Sequence, residues 1–297
     1  MVRLPESLAH SKIAASGDIG REWIAEVPGM VDGLSRRWSC TPDGPVAHGQ
    51  EGIVVPVRWR DLAAVIKVSF PEWSDMREAD AYEVWGGAGA VRLYERDDDL
   101  SAILLERAGN SLSTVGDEEA VAAQGRLTRR LAVDAPAGLP RLSEQMSRWE
   151  REIHTDREPF GHELPSHVVD AALATLRELD PDEPNTLVHG DLHDANVLAS
   201  DREPWLAIDP KVHVGDPAYD AFNVIRSPRF ATLLAGPGLR PRLGRLLDIY
   251  CTAADVDVDR ARRWIQAGAV HEALWGRRHG DPDWLIRATD RLALALT

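Results

Sequence analysis

The sequence predicts an α+β protein in two parts, a small antiparallel sheet with one main helix followed by a larger, mainly helical part. Two observations support this fold class. Between residues 46 and 106, β-branched and apolar runs are separated by short polar turns, which is typical of strands. Beyond residue 110, most apolar residues recur at helical spacing. We place the division at residue 106, which gives an N-terminal part of residues 1–106 and a C-terminal part of residues 107–297.

The elements of the N-terminal part follow from local patterns. Residues 18–38 carry apolar side chains at helical spacing. The runs GIVVPVRW and LAAVIKVSF predict an antiparallel pair joined by a polar turn at residues 58–61. The segment MREADAYEVWGG predicts a helix that ends at Gly86 and Gly87. The runs AVRLYERD and SAILLERA predict two further strands around a tight turn of three aspartates.

The C-terminal part predicts three helices, two short strands and a helical final third. The helices are DEEAVAAQGRLTRRLA, LPRLSEQMSRWEREIH and SHVVDAALATLREL. The strands flank the segment LVHGDLHDANVLAS, which concentrates two acids, two histidines and an amide at one turn. Polar groups this dense are costly to bury unless each is paired, so the segment is a candidate site.

Composition limits the classes of function. The net charge of −14 argues against nucleic-acid binding and favours a cationic small molecule, although acidity can also serve solubility alone. No run approaches the roughly 18 apolar residues of a membrane span, so we expect no membrane partner. The two cysteines, Cys40 and Cys251, fit no metal or redox spacing and suggest buried thiols in a reducing, cytoplasmic environment.

The chain uses arginine for almost all of its cations. Of 34 lysines and arginines only three are lysines: Lys12, Lys67 and Lys211. A lysine kept inside an apolar strand such as AVIKVSF is a candidate for a role that a broad guanidinium group cannot fill.

Three side chains in and after the polar segment have the spacing of a phosphoryl-transfer site. Asn196 follows Asp191 by five residues, as in the catalytic loop of kinases, and Asp209 ends an apolar strand thirteen residues later. A kinase needs a carboxylate beside the attacking hydroxyl, an amide oxygen for Mg²⁺ and a second carboxylate for the metal. Upstream, Lys67 lies where a lysine reaches the nucleotide phosphates, with Glu78, or less favourably Glu83, as its partner on the next helix.

Each feature alone has a simpler explanation. Asp191 and Asn196 both favour turns, and an aspartate that closes a strand is commonly a cap. Lys67 could extend from a strand edge to solvent. His189, Asp191 and His193 could also be read as metal ligands, but the set lacks a fourth ligand. The conjunction of the four elements in the required order favours phosphoryl transfer.

HGDLHDANVL followed by WLAIDPKVHVGDPAYD resembles the aminoglycoside phosphotransferase superfamily, which has a protein-kinase-like fold. The segments REPWLAIDP, REWIAEVPGMV and WGGAGAVRLYE are similar to the branch of streptomycin 6-kinases and hydroxyurea phosphotransferases. The resemblance implies ATP and Mg²⁺ as cofactors, with Asp191 as the catalytic base. It also implies the other site roles: Asn196 and Asp209 as magnesium ligands, Lys67 and Glu78 as the clamp on the phosphates, and Glu106 to Ala108 as the hinge that pairs with adenine.

Two positions depart from the pattern of protein kinases. No G-x-G-x-x-G lies between the first strands, and only Gly49 and Gly52 in HGQEGIVV are available to cover phosphates. After Asp209 come Pro210 and Lys211 in place of Phe and Gly. Lys211 either pairs with a phosphate or substrate acid or lies at the surface.

The acceptor is expected to be a small molecule, because GDPAYD follows Asp209 too closely for a peptide-binding activation segment. Asp216 and Asp220 either cap a helix and brace the loop or recognise a cationic acceptor. Asp194 either contacts a guanidinium-bearing acceptor or completes a turn, and His189 is expected to hold the loop. We expect an ATP-dependent O-phosphotransferase of the streptomycin type, with no protein substrate. The alternatives are a kinase of hydroxyurea, an amino sugar or another metabolite, and a non-catalytic nucleotide-binding relative.

Overall fold

A computed structural model describes residues 4–49, 52–70, 77–160, 163–179 and 185–297 of the chain. The fold is α+β, as predicted, with a small antiparallel sheet and a helical remainder. The chain divides into two compact units, Met1–Ala108 and Gly109–Thr297. None of the helices within the described ranges is both long and apolar enough to cross a bilayer.

The described residues of the first unit form an antiparallel sheet with two helices. The sheet order is β1-β3-β4-β6-β5, and β2 pairs with β3. The apolar face of α1, which is broken at Gly17, packs in one core cluster with the inner faces of β3 and β4. The elements are α1 (Glu6–Arg37), β1 (Cys40–Pro42), β2 (Ala47–His48), β3 (Gly52–Trp59), β4 (Leu62–Ser69), α2 (Arg77–Trp85), β5 (Leu93–Asp97) and β6 (Ala102–Glu106).

The hairpin of β3 and β4 is tighter than the sequence predicts. Trp59 pairs with Leu62, so the turn contains only Arg60 and Asp61, both at positive φ (48° and 70°). Two-residue hairpins favour such left-handed turns because their twist matches that of the strands. The register places Lys67 on β4 opposite Val54 on one side and Ile103 on the other, in the middle of the sheet.

The second unit is mainly helical, and its described residues form two small two-stranded antiparallel sheets. β7 pairs with β10 and β8 with β9; β7, β8 and β9 correspond to the strands expected around the polar segment and before Asp209, and β10 is additional. The elements are α3 (Asp117–Leu131), α4 (Leu142–Phe160), α5 (Ser166–Leu179), β7 (Leu187–Val188), β8 (Val197–Ala199), β9 (Trp205–Ala207), β10 (His213–Val214), α6 (Asp220–Ile225), α7 (Ala231–Ala235), α8 (Leu239–Ala254), α9 (Val258–His279) and α10 (Asp283–Leu296).

Helix α9 runs through the core of this unit. It packs against α4, α5, α6 and α10, and Trp264 in its second turn is 1% exposed. Helices α6 and α9 approach each other closely at Gly268 of α9, because glycine has no side chain. A Cβ at that position would lie 2.8 Å from the ring of Phe222 on α6. The position of α6 is therefore determined by packing in the core.

The contact of α3 with α8 predicts opposite effects for two glycine substitutions. A Cβ at Gly125 of α3 would lie 2.6 Å from the carbonyl oxygen of Tyr250, whereas a Cβ at Gly244 of α8 would meet nothing within 4 Å. We expect Gly125→Ala to lower the free energy of unfolding by about 1–3 kcal/mol through overpacking. The control Gly244→Ala should raise it by about 0.5–1 kcal/mol because alanine favours the helix. Urea denaturation of both variants checks this; equal effects would contradict the packing described.

Candidate active site

His189 anchors the polar segment that follows β7. Its side chain is fully buried, its Nε2–H donates to the carbonyl oxygen of Ile208 (3.0 Å), and its Nδ1 accepts from the N–H of Asp191 (3.2 Å). Burial lowers the pKa of His189 to about 3, so the ring is neutral. Both ring nitrogens are engaged by the backbone, which excludes His189 as a metal ligand in this arrangement and suits a loop-holding role.

Gly190 has both of its backbone polar groups held by side chains from α6. Its N–H donates to Oδ1 of Asp220 (2.8 Å), and its carbonyl oxygen accepts from Nδ2 of Asn223 (2.8 Å). Its φ is +80°, and a Cβ there would lie 2.2 Å from the carbonyl oxygen of Lys211, so no other residue fits. Burial raises the pKa of Asp220 to about 7, an effect that its backbone hydrogen bonds oppose.

Asp191 presents a carboxylate that is mostly buried but incompletely bonded. Its Oδ2 lies 3.4 Å from Nδ2 of Asn196 and 3.8 Å from Nε2 of His193. Its Oδ1 lies 3.6 Å from Nη2 of Arg226, and among the described residues no donor is within hydrogen-bonding distance of it. Burial raises the pKa of Asp191 to about 6, although the positive charge of Arg226 opposes the rise. A carboxylate with one buried, unsatisfied oxygen is suited to accept a hydrogen bond from a ligand.

The β8–β9 hairpin places Asn196 and Asp209 at the same end. Val197 pairs with Ala207, and the N–H of Ile208 donates to the carbonyl oxygen of Asn196 (2.9 Å). The side-chain nitrogen of Asn196 donates to the carbonyl oxygen of Asp191 (3.0 Å), which leaves the amide oxygen as the group available to a ligand. Asp209 has a φ of 58°, a conformation that aspartate tolerates better than most residues.

These donors fit Mg²⁺ held together with phosphates. Mg²⁺ prefers oxygen ligands and is usually bound through one or two carboxylates plus substrate phosphates and waters. Asn196 and Asp209 provide two such oxygens and no nitrogen or sulfur. Within the described ranges there is no group of three or more histidines, cysteines, aspartates or glutamates that could hold a metal by itself. Two oxygen ligands leave the rest of the Mg²⁺ coordination shell to phosphates and waters, as is usual for an ion that binds together with a nucleotide.

In the first unit, Lys67 forms an ion pair with Glu78. Lys67 is 6% exposed, and its Nζ lies 2.6 Å from Oε2 of Glu78 on α2. The hydroxyl of Tyr82 donates to the other oxygen of Glu78 (3.2 Å). Glu83, the weaker candidate from the sequence, lies 3.0 Å from Nη1 of Arg96 instead. The carboxylate of Glu78 thus fixes the ammonium group of Lys67 at the middle of the sheet.

The expected hinge lies at the end of β6. The N–H of Glu106 donates to the carbonyl oxygen of Arg92 (2.9 Å), and its side chain accepts from the N–H of Arg92 (3.1 Å). The N–H of Arg107 donates to the carbonyl oxygen of Ala63 (3.2 Å). Within the part of the chain that the structure describes, the N–H of Ala108 has no acceptor, so it could donate to a ligand.

The expected phosphate-covering loop is described only at its ends. The N–H of Gly49 donates to the carbonyl oxygen of Gly52 (3.1 Å), and a Cβ at Gly52 would lie 2.2 Å from the carbonyl oxygen of Val68. Gln50 and Glu51 of the segment HGQEGIVV lie outside the described residues.

Two further acids that the sequence singles out are bonded within the protein. Asp194 accepts from the hydroxyl of Ser227 and from Nε of Arg229 (3.1 Å). Asp216 caps the following turn through the N–H of Ala218 (3.0 Å) and accepts from Nε1 of Trp264 (2.7 Å) and from Arg260. Both oxygens of each carboxylate have protein partners, which matches bracing of the loop rather than contact with an acceptor. Lys211 has an exposed side chain, and its N–H donates to the carbonyl oxygen of His189 (2.8 Å).

Sequence reasoning missed Asn223 and Arg226, which contact Gly190 and Asp191. Asp220, Asn223 and Arg226 follow one another at intervals of three residues, a spacing that puts side chains on one face of a helix. That periodicity in DAFNVIR is the signal that could have identified them.

Comparison with known proteins places the chain in a family. A streptomycin 6-kinase of Streptomyces glaucescens is 33% identical over 285 residues, which cover 94% of this chain and 92% of that protein. A hydroxyurea phosphotransferase of Kitasatospora aureofaciens is 32% identical over 289 residues, covering 95% and 82%.

The fold has a solved counterpart in a thermostable mutant of the aminoglycoside phosphotransferase APH(4)-Ia, determined as a ternary complex with AMP-PNP and hygromycin B. It matches with a TM-score of 0.57 at 15% identity and covers 89% of this chain and 97% of that one. At this identity the match supports the protein-kinase-like fold alone.

The family model for aminoglycoside/hydroxyurea antibiotic resistance kinases matches residues 37–280, most of the chain. This chain therefore belongs to that family and is a kinase that transfers a phosphoryl group to an alcohol.

Proposed function

We propose that this protein phosphorylates a hydroxyl group of a streptomycin-type aminoglycoside with ATP, with Asp191 as the catalytic base. The observation that carries the proposal is the carboxylate of Asp191, which keeps one buried oxygen without a hydrogen-bond donor among the described residues. The oxygen donors Asn196 and Asp209 come from the hairpin that follows it. Base, amide and second carboxylate are the groups that phosphoryl transfer requires.

The proposed reaction is a direct transfer. The acceptor hydroxyl donates a hydrogen bond to Asp191 while its oxygen attacks the γ-phosphorus of ATP. A new P–O bond forms as the bond between the γ-phosphorus and the β,γ-bridging oxygen breaks, and ADP leaves with that bonding pair. The hydroxyl proton passes to Asp191 and then to solvent. Asn196 and Asp209 would hold Mg²⁺, which would neutralise negative charge on the nucleotide phosphates.

The first unit would contribute the residues that hold the nucleotide. The Nζ of Lys67, fixed by Glu78, would contact the α- and β-phosphates. The carbonyl oxygen of Glu106 and the N–H of Ala108 would pair with the adenine edge. These roles are the ones that the resemblance to aminoglycoside phosphotransferases implies. The buried Lys67–Glu78 ion pair at 2.6 Å supports the role of Lys67 at the phosphates.

An aminoglycoside acceptor is supported by relatives and by charge. Streptomycin 6-kinases align over nearly the whole chain at 32–33% identity. The net charge of −14 would attract a polycationic acceptor. Asp194, Asp216 and Asp220 are bonded internally, so this attraction would come from the summed field rather than from those three side chains.

A comparison of acceptors tests the proposal. With ATP and Mg²⁺, we expect streptomycin to stimulate ADP release and to gain a phosphoryl group detectable by mass spectrometry. Hydroxyurea and hygromycin B should be poorer acceptors by kcat/KM, and EDTA should abolish turnover. Preference for hydroxyurea would contradict the choice of acceptor, and failure to phosphorylate any acceptor would contradict the proposed function.

Replacement of the base should affect chemistry more than binding. We expect Asp191→Ala to lower kcat roughly 10²- to 10⁴-fold, the usual scale for loss of a general base. ATP affinity, measured by calorimetry, should be retained. The control Asp201→Asn changes an exposed acid in the turn between β8 and β9 and should leave kcat unchanged. Activity of Asp191→Ala within a few-fold of wild type would exclude the assigned role.

Two glutamates on α2 provide a matched test of the nucleotide clamp. Glu78→Gln weakens the ion pair with Lys67, and we expect KM for ATP to rise about 10- to 100-fold, the equivalent of a charge-assisted hydrogen bond. Glu83→Gln removes the same charge from the same helix, but Glu83 pairs with Arg96. KM for ATP should not change in that control. Equal effects of the two substitutions in steady-state kinetics would contradict the clamp.

A further inference from the structure

Three side chains on one face of α6 and at its C-terminal end hold the segment that carries the base. Asp220 and Asn223 bond the N–H and the carbonyl oxygen of Gly190, each at 2.8 Å. Arg226, three residues further, places its Nη2 3.6 Å from Oδ1 of Asp191. The first two fix the peptide groups on either side of Gly190, the second of which leads into Asp191, whereas Arg226 reaches the carboxylate of Asp191 itself.

The guanidinium group of Arg226 is fixed from three sides. Its Nε donates to Oδ1 of Asn223 (3.2 Å), and its Nη1 lies 3.5 Å from Oε1 of Glu272 on α9. Its central carbon lies 5.5 Å from the ring centroid of Phe222, within range of a cation–π contact. A guanidinium group is planar, so these contacts determine the direction in which Nη2 points.

The carboxylate of Asp191 is consequently contacted at both of its oxygens. The amide nitrogen of Asn196 lies 3.4 Å from Oδ2, and Nη2 of Arg226 lies 3.6 Å from Oδ1. The terminal torsion of an aspartate is otherwise broad, so rotation of the carboxylate would cost one or both contacts. Oδ1 has an ion-pair partner but no hydrogen-bond donor at short distance, which leaves it able to accept from a hydroxyl.

We infer that Arg226 is a positioning residue for phosphoryl transfer, which orients the Asp191 carboxylate toward the acceptor hydroxyl, and that Glu272 acts on the reaction through Arg226. The inference rests on the proposed function. It requires that loss of the guanidinium group lower kcat while the affinities for ATP and acceptor remain, because Arg226 would align the base rather than bind either substrate.

The geometry also defines a competing possibility. Arg226 lies near two carboxylates, those of Asp191 and Glu272, where a cationic acceptor group could also bind. If Arg226 only occupied a place that the acceptor must take, its removal would lower KM for the acceptor and would not lower kcat. The two possibilities therefore differ in the sign of the effect.

The test compares Arg226→Gln with Arg278→Gln. Arg278 on α9 is matched in exposure (33% against 39% for Arg226) and pairs with a carboxylate, that of Asp156, at 3.2 Å. For Arg226→Gln we expect kcat to fall about 10- to 100-fold, as for a misplaced catalytic group, with both KM values unchanged. For Arg278→Gln all three constants should match wild type.

Two further measurements separate positioning from general stability. Glu272→Gln should lower kcat less than Arg226→Gln and should have no additional effect in the double variant, because it acts through Arg226. Added guanidinium ion at millimolar concentration should restore part of the kcat of Arg226→Ala, while methylammonium should not. Thermal unfolding of each variant shows whether the fold is retained.

Several results would overturn the inference. For Arg226→Gln, either a wild-type kcat or a lower KM for the acceptor with undiminished kcat would do so. Additive effects of the Arg226 and Glu272 substitutions on kcat would also contradict it, as would a loss of activity in Arg226→Ala that guanidinium ion does not restore. If wild-type protein phosphorylates acceptor and Arg226→Gln does so equally well, the inference alone fails. If wild-type protein phosphorylates no acceptor, the proposed function fails and the inference fails with it.

Discussion

The arrangement of the second unit's site depends on the hydrogen bonds to Gly190. Its N–H and carbonyl oxygen are buried and must be bonded within the protein, and both bonds come from side chains of α6. Helix α6 is itself positioned by the core, since the ring of Phe222 fits against α9 only because residue 268 is a glycine. The place of Asp191 is thus set by helix packing, through α6, rather than by the short strand β7 that leads into it.

A second constraint ties the base to the two oxygen donors. Ile208 is bonded through both of its backbone groups: its N–H donates to Asn196, and its carbonyl oxygen accepts from His189, which in turn accepts from the N–H of Asp191. Asp209 is the next residue. One backbone unit therefore links the three candidate functional groups, and the neutral, buried state of His189 is a condition for this link because each ring nitrogen must keep its own role.

The sequence predicts much of this arrangement because some of its signals are local and rare. Three lysines among 34 basic residues draw attention to Lys67, and strand and helix periodicities place most elements. The sequence also contains 31 arginines, so residue type alone gives no reason to single out Arg226 or Arg229. Their acidic partners lie far away along the chain: Arg226 pairs with Glu272, 46 residues after it, and Arg229 bonds to Asp117, 112 residues before it. Glu78 and Glu83 lie on different sides of α2, and only the packing of that helix decides which one meets Lys67.

The acids of the second unit show how burial and bonding assign roles that residue type leaves open. Asp191, Asp194, Asp216 and Asp220 all belong to segments that resemble a phosphotransferase site, and any of them could contact a cationic acceptor. Asp194 is held by Arg229, a buried guanidinium group that also bonds the carbonyl oxygens of Leu112 and Val115. Such a buried pair is costly unless it is fully bonded, and this one is, so it joins the segment before α3 to the loop instead of serving a ligand.

Asp216 and Asp220 are likewise bonded to backbone and side-chain donors of the unit. Among the four acids, Asp191 is the one with a buried oxygen that has no hydrogen-bond donor in the described part of the chain. A buried acceptor without a donor is unfavourable in the absence of a ligand, and a bound hydroxyl group would relieve that cost. The same feature that makes Asp191 the least satisfied of these four acids therefore makes it the one suited to accept a proton from a substrate.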